Sequence, residues 1–412
     1  MSEITNINNT PYKQYDLLNI PKTSWFLKKF SNPRSTIRLA TLFSGIGAIE
    51  HAFQRIKLNH EIIFAGDIDD KCRQSYFANY KVSTKNWHGD INLFNAKKYK
   101  GKVDLLVGGS PCQAFSMVGN RQGFRDPRGS LFYEFARVIQ ECKPKVFIFE
   151  NVKGLKSHDQ GATWKTIKNI FEKELKYKIS FDTLNSKNFG IPQNRERFFV
   201  IGFRHGYYED FNFPQKINLN STMQDFLEDA VDTKYYLKEK GVKFVTNATN
   251  RKKRYTQVNG DVALCQKSNQ QFNWHGDFIF EQINKQINFD EFVFDIKPIE
   301  KKYYLSDKVK KYVLSNGTKN FWIENKTDLE IARPILSSMH KMHRAGVDNY
   351  ITYNRGKVRK LTPRECHRLM GFRDNFKIVV SDTSAYQQAG NSIVVDVLIA
   401  LLKELDITRF TE

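Results

Sequence analysis

Between residues 37 and 202, short apolar runs alternate with stretches whose apolar residues recur at helical spacing. The apolar runs are residues 37–43, 61–66, 103–107, 144–152 and 198–202. Most of them are bounded by Gly, Asn, Asp or Pro, which interrupt regular structure. Strands that alternate with helices in this way are typical of a mostly parallel sheet with helices on both faces. The sequence therefore predicts a doubly wound α/β fold for this region.

The first predicted strands end in residues that suit a nucleotide-like ligand. Residues 43–48, FSGIGA, form a glycine-rich turn before a helical stretch, where a ligand can approach the backbone at a helix N-terminus. Asp67 follows the next strand, about 20 residues later, where nucleotide-binding folds contact a ribose. Asp90 follows a further predicted strand. Because the carboxyl ends of parallel strands share one edge, we expect these residues to lie together.

A cysteine follows the predicted strand 103–107, within the sequence GGSPCQAFS at 108–116. Pro111 restricts the backbone immediately before Cys112 and stiffens the turn that carries the thiol. The chain has five cysteines, an odd number, with no CxxC pair, which indicates reduced thiols rather than a disulfide framework. A reduced thiol on this turn is either a buried, inert side chain or a nucleophile, and the residues alone leave both interpretations open.

The formal charge of +21 at pH 7 is the strongest signal in the composition. A surplus of this size attracts polyanions, so nucleic acid is the predicted partner. The basic run at 251–254 is either a solvated face or part of that contact. No uninterrupted apolar run approaches the length of a membrane span, and the N-terminus is too polar for a signal peptide, so we expect a soluble, cytoplasmic protein.

The regular alternation is lost after about residue 204 and returns near residue 361. This change predicts an N-terminal arm at 1–36, a catalytic domain at 37–203 completed by 376–412, and a smaller, irregular domain at 204–375. A helix is expected to begin at Thr362 and Pro363, which are typical of an N-cap and a first helical position. His340 and His343 have no cysteine or carboxylate nearby in the sequence, so no metal site is predicted.

Eight stretches resemble, in order, the motifs of the DNA (cytosine-5)-methyltransferase family, especially the bacterial single-chain enzymes of restriction–modification systems. The resemblance covers residues 37–202 and 359–402 and has two departures: Ala48 replaces a third glycine, and Arg373 replaces a proline. The matching stretches are FSGIG at 43–47, DID at 67–69, GDI at 89–91, PCQAFS at 111–116, ENV at 150–152, QNRER at 193–197, LTPRE at 361–365 with RLMGF at 368–372, and GNS at 390–392.

This resemblance implies a Rossmann-like S-adenosylmethionine-dependent methyltransferase with a smaller target-recognition domain. The expected reaction methylates carbon 5 of a cytosine flipped out of a specific duplex DNA sequence. Cys112 would add to C6 of the ring and so make C5 nucleophilic. Glu150 would share a proton with N3, Arg197 would hold O2, and Arg195 would orient Glu150 or the loop.

The resemblance also implies the remaining site residues and partners. The expected substrate-binding residues are Gln113, Val118, Arg128 and Gln193, with Val118 entering the space left by the flipped base. The expected partners are double-stranded DNA and a cognate restriction endonuclease, for a monomeric enzyme of the bacterial cytoplasm that needs no metal or membrane. The expected S-adenosylmethionine-binding residues are Phe43, Gly45 and Gly47 on the turn, Asp67 for the ribose, Ile68 for one adenine face, Asp90 for the adenine amino group, and Asn391 and Ser392 from the last motif.

Three alternatives stay open at this point. The same catalytic residues serve a tRNA-methylating branch of the family, although the irregular insert of about 150 residues favours a DNA-reading domain. A non-catalytic DNA-binding regulator would not need Cys112, Glu150 and both arginines. A dinucleotide oxidoreductase would explain the glycine turn but not the PCQ and ENV stretches.

Overall fold

The protein is described here from a computed structural model. It covers residues 24–111, 131–207, 211–228, 249, 256–258, 275–278, 304–305, 317–318, 321–322, 327–335, 337, 345–346, 349–353 and 357–411. Backbone contacts divide the chain into two compact units. The sheet unit comprises Pro21–Asn185, Glu196–Lys216 and Val397–Glu412, and the second unit comprises Met1–Ile20, Ser186–Arg195 and Ile217–Asp396.

A six-stranded sheet organises the sheet unit. Its strands, in spatial order, are β2 (His60–Phe64), β1 (Ile37–Leu42), β3 (Leu105–Gly108), β4 (Val146–Val152), β6 (Glu196–Arg204) and β5 (Tyr177–Asn185). Only β6 runs in the opposite direction to the other five. The mostly parallel, doubly wound sheet that the sequence predicts is therefore confirmed.

Amphipathic helices connect the strands. In α3 (Leu131–Cys142), Phe132, Phe135, Ala136 and Ile139 recur at helical spacing and are buried on one face. The helix α2 (Asp70–Asn79) begins after its N-cap Asp69, whose carboxylate accepts a hydrogen bond from the Lys71 amide. The other helices of this unit are α1 (Ala48–Arg55) and α4 (Ala162–Asn169); α4 continues into a wider turn at Ile170–Glu174.

The core lies against the two central strands. Every residue of β3 is buried, as are the first four residues of β4, which is typical of strands covered on both faces. Phe147 and Phe149 of β4 contact aromatic rings from α3 and from the turn after α4, with ring centroids 4.7–6.3 Å apart. This packing gives the carboxyl ends of the strands a rigid support.

The strand order places a switch point next to β1. The chain passes from β1 to β2 on one side, whereas β3 pairs with β1 on the other side. In open α/β sheets, ligands bind outside the carboxyl ends of the strands at such a point. The turns after β1 and β3 are therefore the expected ligand-binding turns.

The segment before β1 packs against the last helix of the chain, α7 (Val395–Leu405). Trp25 is buried, and its Nε1 donates a hydrogen bond to the Gln215 carbonyl at 2.9 Å. Lys403 Nζ donates to the Phe26 carbonyl at 2.7 Å. The described part of the predicted N-terminal arm is thus fixed to the sheet unit at both its tryptophan and its backbone.

Among the described residues of the second unit are the helices α5 (Pro363–Leu369) and α6 (Asp382–Asn391). The predicted start of α5 is confirmed, because Thr362 and Glu365 form a reciprocal capping box with Pro363 in the first turn. The remaining described strands are short: β7 (Thr256–Val258), β8 (His275–Phe278) and β11 (Ala345–Gly346) form a parallel sheet, while β9 (Gly317–Thr318) with β10 (Phe321–Trp322) and β12 (Tyr350–Tyr353) with β13 (Lys357–Lys360) form antiparallel pairs.

Three features differ from the sequence-based expectations. The strand expected before Asp90 is reduced to a single parallel bridge between Ala65 and Trp87, because the chain there is mostly turn. The contact-based units assign residues 186–195 and 376–396 to the second unit, whereas the predicted domains place them in the catalytic part. The helical stretch Asp382–Leu405 is long and apolar enough to span a membrane, but 78% of its apolar window is buried inside the structure, as in a core helix.

Candidate active site at the carboxyl edge of the sheet

The turn after β1 forms one side of the site. Phe43 has φ +52°, a left-handed conformation that is costly for a residue with a side chain and is concentrated at functional sites. Gly47 has φ +80° and is the N-cap of α1. A Cβ at Gly47 would lie 2.2 Å from Cε2 of Tyr80, so the tyrosine ring occupies the space of a side chain there. A Cβ at Gly45 would have no neighbour within 4 Å among the described residues, so this glycine faces open space.

Asp67 joins this turn from the end of β2. Its Oδ2 accepts a hydrogen bond from the Gly45 amide at 2.9 Å, and its Oδ1 accepts one from the Asp69 amide at 3.0 Å. Burial raises the pKa of Asp67, while the two amide bonds oppose that effect. The next side chain, Ile68, is 79% exposed, which is unusual for a large apolar residue beside a carboxylate. The turn after β1 and the end of β2 therefore form one surface, which presents the Asp67 carboxylate and the apolar Ile68 side chain.

Asp90 lies close to this surface. A Cβ at the preceding Gly89 would be 3.9 Å from the Asp67 carbonyl. The segment is held by His88, whose amide donates to the Ala65 carbonyl at 2.8 Å and whose ring stacks on Phe94 at 4.0 Å. Burial lowers the pKa of His88 to about 4, so this histidine is neutral at physiological pH and supports the segment by packing.

These residues fit the adenosyl group of S-adenosylmethionine. The open space at Gly45 allows a ligand to approach the backbone, as a glycine-rich turn requires. A carboxylate has about four acceptor positions, so Asp67 can accept ribose hydroxyls in addition to its two amide bonds. The exposed Ile68 side chain offers an apolar face of the kind that packs against an aromatic base.

A carboxylate and a guanidinium meet on the neighbouring strands. Glu150 near the end of β4 and Arg197 at the start of β6 are brought together because these strands pair antiparallel, with Val152 opposite Arg197. Arg197 Nε lies 3.1 Å from Glu150 Oε1, and both side chains are mostly buried, with 16% and 14% exposed. The structure thus brings together two of the predicted catalytic residues as a charge-assisted pair.

The turn after β3 is held directly against this pair. A Cβ at Gly109 would lie 2.7 Å from the Glu150 carbonyl oxygen and 2.9 Å from Glu150 Oε2, so any larger residue would displace Glu150. The buried Asn151 side chain donates from Nδ2 to the Ser110 carbonyl at 2.9 Å. Pro111, which ends the described part of this turn, is exposed. Glu150 and Asn151 therefore fix the backbone that leads into Cys112.

Several predicted site residues lie outside the described residues: Cys112, Gln113, Val118 and Arg128. The same holds for His340 and His343. Among the residues that the structure does describe, no three His, Cys, Asp or Glu side chains are grouped to hold a metal ion.

Four predicted site residues belong to the second unit. Gln193 is fully buried; its Nε2 donates to the Leu369 carbonyl at 2.8 Å and its Oε1 accepts from the Ile335 amide at 2.9 Å. Arg195 is 4% exposed and donates from one guanidinium nitrogen to the carbonyls of Gly390 and Ser392, at 2.8 and 2.9 Å. Arg195 therefore holds the segment that carries Asn391, which is exposed, and Ser392, which is buried.

The structure adds site residues that sequence reasoning missed. Gly109 and Ser110 form the turn that precedes Cys112, and Asn151 of β4 donates to the Ser110 carbonyl from 41 positions away along the chain. Asn151 stands directly after Glu150, so an amide beside a candidate catalytic acid was the one available indication. Glu50, in the first turn of α1, is another missed residue and lies beneath the glycine turn.

Comparison with known proteins gives a consistent family. A model for the family described as C-5 cytosine-specific DNA methylase matches residues 37–406. The chain is 32% identical over 405 residues to the type II methyltransferase M.HpaII of Haemophilus parainfluenzae, covering 97% of this chain and 96% of that protein. It is 31% identical over 378 residues to the type II methyltransferase M.SsoII of Shigella sonnei, covering 91% and 81%.

Solved structures support the same fold. A Spodoptera frugiperda DNMT2 variant superposes with a TM-score of 0.60 at 17% identity, covering 90% of this chain and 99% of that one. A putative DNA modification methyltransferase encoded within an Escherichia coli prophage superposes with a TM-score of 0.57 at 21% identity, covering 90% and 98%. At these identities the likeness concerns the fold alone.

Proposed function

Because this chain belongs to the C-5 cytosine-specific DNA methylase family, we propose that it methylates a flipped-out cytosine in a specific duplex DNA sequence through a covalent bond between Cys112 and C6. The chain is a DNA (cytosine-5-)-methyltransferase of the restriction–modification type. The observation that carries the finer proposal is the Glu150–Arg197 pair, packed against the turn that leads into Cys112.

We infer that S-adenosylmethionine is the methyl donor and binds along the turn after β1. When bound, it supplies a methyl group on a positively charged sulfur. Phe43, Gly45 and Gly47 would provide the backbone surface, and Asp67 the acceptors for the ribose. The exposed side chain of Ile68 would cover one adenine face.

Asp90, Asn391 and Ser392 complete the proposed set of cofactor-binding residues. Asp90 Oδ1 accepts hydrogen bonds from the backbone and side-chain amides of Asn92, at 2.9 and 2.7 Å. These bonds fix the carboxylate, which would accept a hydrogen bond from the adenine amino group. Asn391 and Ser392 lie on the segment that Arg195 holds.

Cys112 is the proposed nucleophile. Its thiolate would form a bond to C6, the C5–C6 double bond would open, and C5 would become the nucleophilic atom of the ring. Once C5 carries the methyl group, loss of its proton to a base would re-form the C5–C6 double bond and release the thiolate from C6. The thiolate therefore ends the reaction unchanged, which suits sulfur because it is both a good nucleophile and a good leaving group.

Glu150 and Arg197 match the charge that this addition creates. N3 and O2 are neighbouring atoms on one edge of cytosine, and nucleophilic addition at C6 moves negative charge toward that edge. Glu150 would share a proton with N3, and Arg197 would donate to O2. The separation of 3.1 Å between Arg197 Nε and Glu150 Oε1 allows both side chains to reach the same ring edge.

The remaining predicted residues receive two kinds of role. Gln193 and Arg195 are buried and bonded to backbone atoms, so we interpret them as positioning residues of the second unit rather than direct contacts of the base. Gln113, Val118 and Arg128 stay predictions as substrate-binding residues of a loop that closes on flipped-out DNA.

Duplex DNA is the proposed partner, and residues 204–375 the proposed reader of its sequence. The formal charge of +21 favours binding to the phosphate backbone, while base contacts would supply the specificity. The type II names of the similar methyltransferases favour protection of DNA against a cognate restriction endonuclease. We propose that the enzyme acts as a monomer in the bacterial cytoplasm.

Trapping on DNA that contains 5-fluorocytosine tests the mechanism. Without a C5 proton to remove, the enzyme should remain bound through sulfur to C6, and mass spectrometry of the adduct should identify Cys112. The Cys112→Ser variant should transfer no methyl group yet bind S-adenosylmethionine as the wild type does. Bisulfite sequencing of methylated plasmid gives the recognition sequence in the same preparation.

Cys72→Ser is the matched control, because Cys72 is a buried residue of α2 outside the proposed chemistry. This variant should keep both turnover and the adduct. An adduct at another residue, or near-normal turnover by Cys112→Ser, would contradict the mechanism. Methylation of tRNA in place of duplex DNA would contradict the proposed substrate.

A further inference from the structure

Glu50 is a buried acid that the proposed chemistry does not use. It lies in the first turn of α1 with none of its surface exposed. Its Oε1 accepts a hydrogen bond from the Tyr76 hydroxyl at 2.6 Å and another from Thr41 Oγ1 at 3.1 Å. Burial raises the pKa of Glu50 to about 7, against the opposing effect of these hydroxyl bonds. Two titratable side chains face Glu50: Tyr76, within α2, and Tyr80, the residue that follows this helix.

A continuous set of hydrogen bonds leads from Glu50 to the glycine turn. Thr41 Oγ1 lies 2.7 Å from Ser44 Oγ, and Ser44 Oγ accepts from the Gly66 amide at 2.9 Å. The Ser44 amide in turn donates to the Gly66 carbonyl at 2.9 Å. The residues that follow Ser44 and Gly66 are also bonded to each other: the Gly45 amide donates to Asp67 Oδ2. These hydrogen bonds join the turn after β1 to the end of β2, and Glu50 lies at the buried end of the set.

Glu50 also fixes the direction in which the Thr41 hydroxyl points. Thr41 has one hydroxyl proton, and it donates that proton to Glu50. The Ser44 hydroxyl donates to the Gly66 carbonyl at 3.1 Å, its oxygen accepts from the Gly66 amide, and it lies 2.7 Å from Thr41 Oγ1. Glu50 therefore orients the Thr41 hydroxyl, which contacts Ser44 directly before Gly45.

The same helix that supplies Tyr76 supports the turn from another direction. The Tyr80 ring fills the space beside Gly47, and the rings of Tyr76 and Tyr80 lie 5.0 Å apart. Displacement of Tyr76 would therefore also disturb the contact at Gly47. Glu50 connects β1, α1 and α2 where all three meet the turn.

We propose that Glu50 is a positioning residue for S-adenosylmethionine binding, which holds the turn at Ser44 and Gly45 in register with Asp67 through Thr41 and Tyr76. This inference rests on the proposed use of that turn as the cofactor site. Burying a carboxyl group costs more free energy than burying an apolar side chain of similar size, unless hydrogen bonds offset the cost. Here both bonds are made to side chains that support the turn.

Binding of S-adenosylmethionine and S-adenosylhomocysteine to full-length protein, measured by isothermal titration calorimetry, tests the proposal without requiring turnover. Glu50→Ala and Tyr76→Phe should each weaken binding by about tenfold, since each removes a buried hydrogen bond of the set. Glu50→Gln keeps an acceptor oxygen for Tyr76 and Thr41 and should stay within about twofold of wild type. In steady-state assays the first two variants should raise KM for the methyl donor more than they lower kcat.

Tyr177→Phe is the matched control for a general loss of stability. The Tyr177 hydroxyl is also buried and donates to the Pro144 carbonyl at 2.6 Å, far from the glycine turn along the sheet. This variant should lower the melting temperature about as much as Tyr76→Phe, with unchanged affinity for the methyl donor.

The outcomes separate the two proposals. A wild type that binds no S-adenosylmethionine would overturn the proposed cofactor site. A wild type that binds it, with Glu50→Ala and Tyr76→Phe binding equally well, would overturn the positioning role alone. Equal weakening by Tyr177→Phe would also overturn it, because the effect would then follow stability. Should Glu50→Ala fail to fold, Tyr76→Phe and Glu50→Gln still decide the question.

Discussion

Glu50 makes the stability of the sheet unit depend on pH in a direction unusual for a carboxyl group. Its pKa is raised by burial from 4.5 to about 7. At a pH between these two pKa values, Glu50 is protonated in the native state and ionised in the unfolded chain. Native protonation is therefore lost as pH rises, and the free energy of unfolding falls through this range.

The expected size of this effect follows from the two pKa values. A change in the pKa of one carboxyl group from 4.5 to about 7 corresponds to about 3 kcal/mol. The stabilising contribution of protonation is complete below pH 4.5, and the full cost of the buried carboxylate is present above about pH 8. Glutamine stays neutral throughout, so Glu50→Gln should abolish this dependence.

Urea unfolding of wild type and Glu50→Gln, followed by tryptophan fluorescence from pH 4.5 to about 8.5, measures the effect. Relative to the variant, the wild type should lose about 3 kcal/mol over this range. Glu61→Gln, at an exposed carboxylate of β2, is the matched control for removal of a carboxyl group. The free energies of unfolding of wild type and Glu50→Gln are compared at each pH. If the difference between them changes by less than about 1 kcal/mol over the pH range, the raised pKa of a buried Glu50 is refuted.

Two further predictions concern the turn that leads into Cys112. Gly109→Ala should lower kcat about a hundredfold with unchanged S-adenosylmethionine affinity, because the new Cβ would lie 2.9 Å from Glu150 Oε2 and displace that side chain. Near-normal turnover would show that Glu150 tolerates the shift. Asn151→Ala leaves the Ser110 carbonyl without its side-chain donor and should cost about 1–3 kcal/mol in urea unfolding. The exposed Asn169→Ala serves as control, and equal effects of both substitutions would contradict the role of Asn151.

The fold was largely predictable because its signals are local. Apolar runs, glycine turns and caps such as Thr362 with Glu365 depend on neighbours a few positions away, and these elements appear where the sequence indicates them. The strand expected before Asp90 was wrong in extent, since only Trp87 pairs with the sheet. A single bridge leaves no periodic pattern that distinguishes it from a full strand.

The candidate site was predictable only where a motif contains the residue. Glu150 and Arg197 were named from their motifs, and the structure brings them together. Gln193 illustrates the limit of this approach: a polar residue in a motif was expected to contact substrate, yet its amide is buried and bonded to backbone atoms of Leu369 and Ile335. Burial depends on the chain that packs over a residue, which a motif does not specify.

The sequence by itself determined the alternation of strands and helices, the glycine turn after β1 and the acids that end the strands, because each is encoded by residues close along the chain. Only the tertiary structure decided that Asn151 holds Ser110, 41 residues earlier, and that Tyr76 holds Glu50, 26 residues away. These contacts depend on strand order and helix packing, which side-chain periodicity does not encode. The precision of the site therefore comes from bonds between distant segments, built on elements that the local sequence specifies.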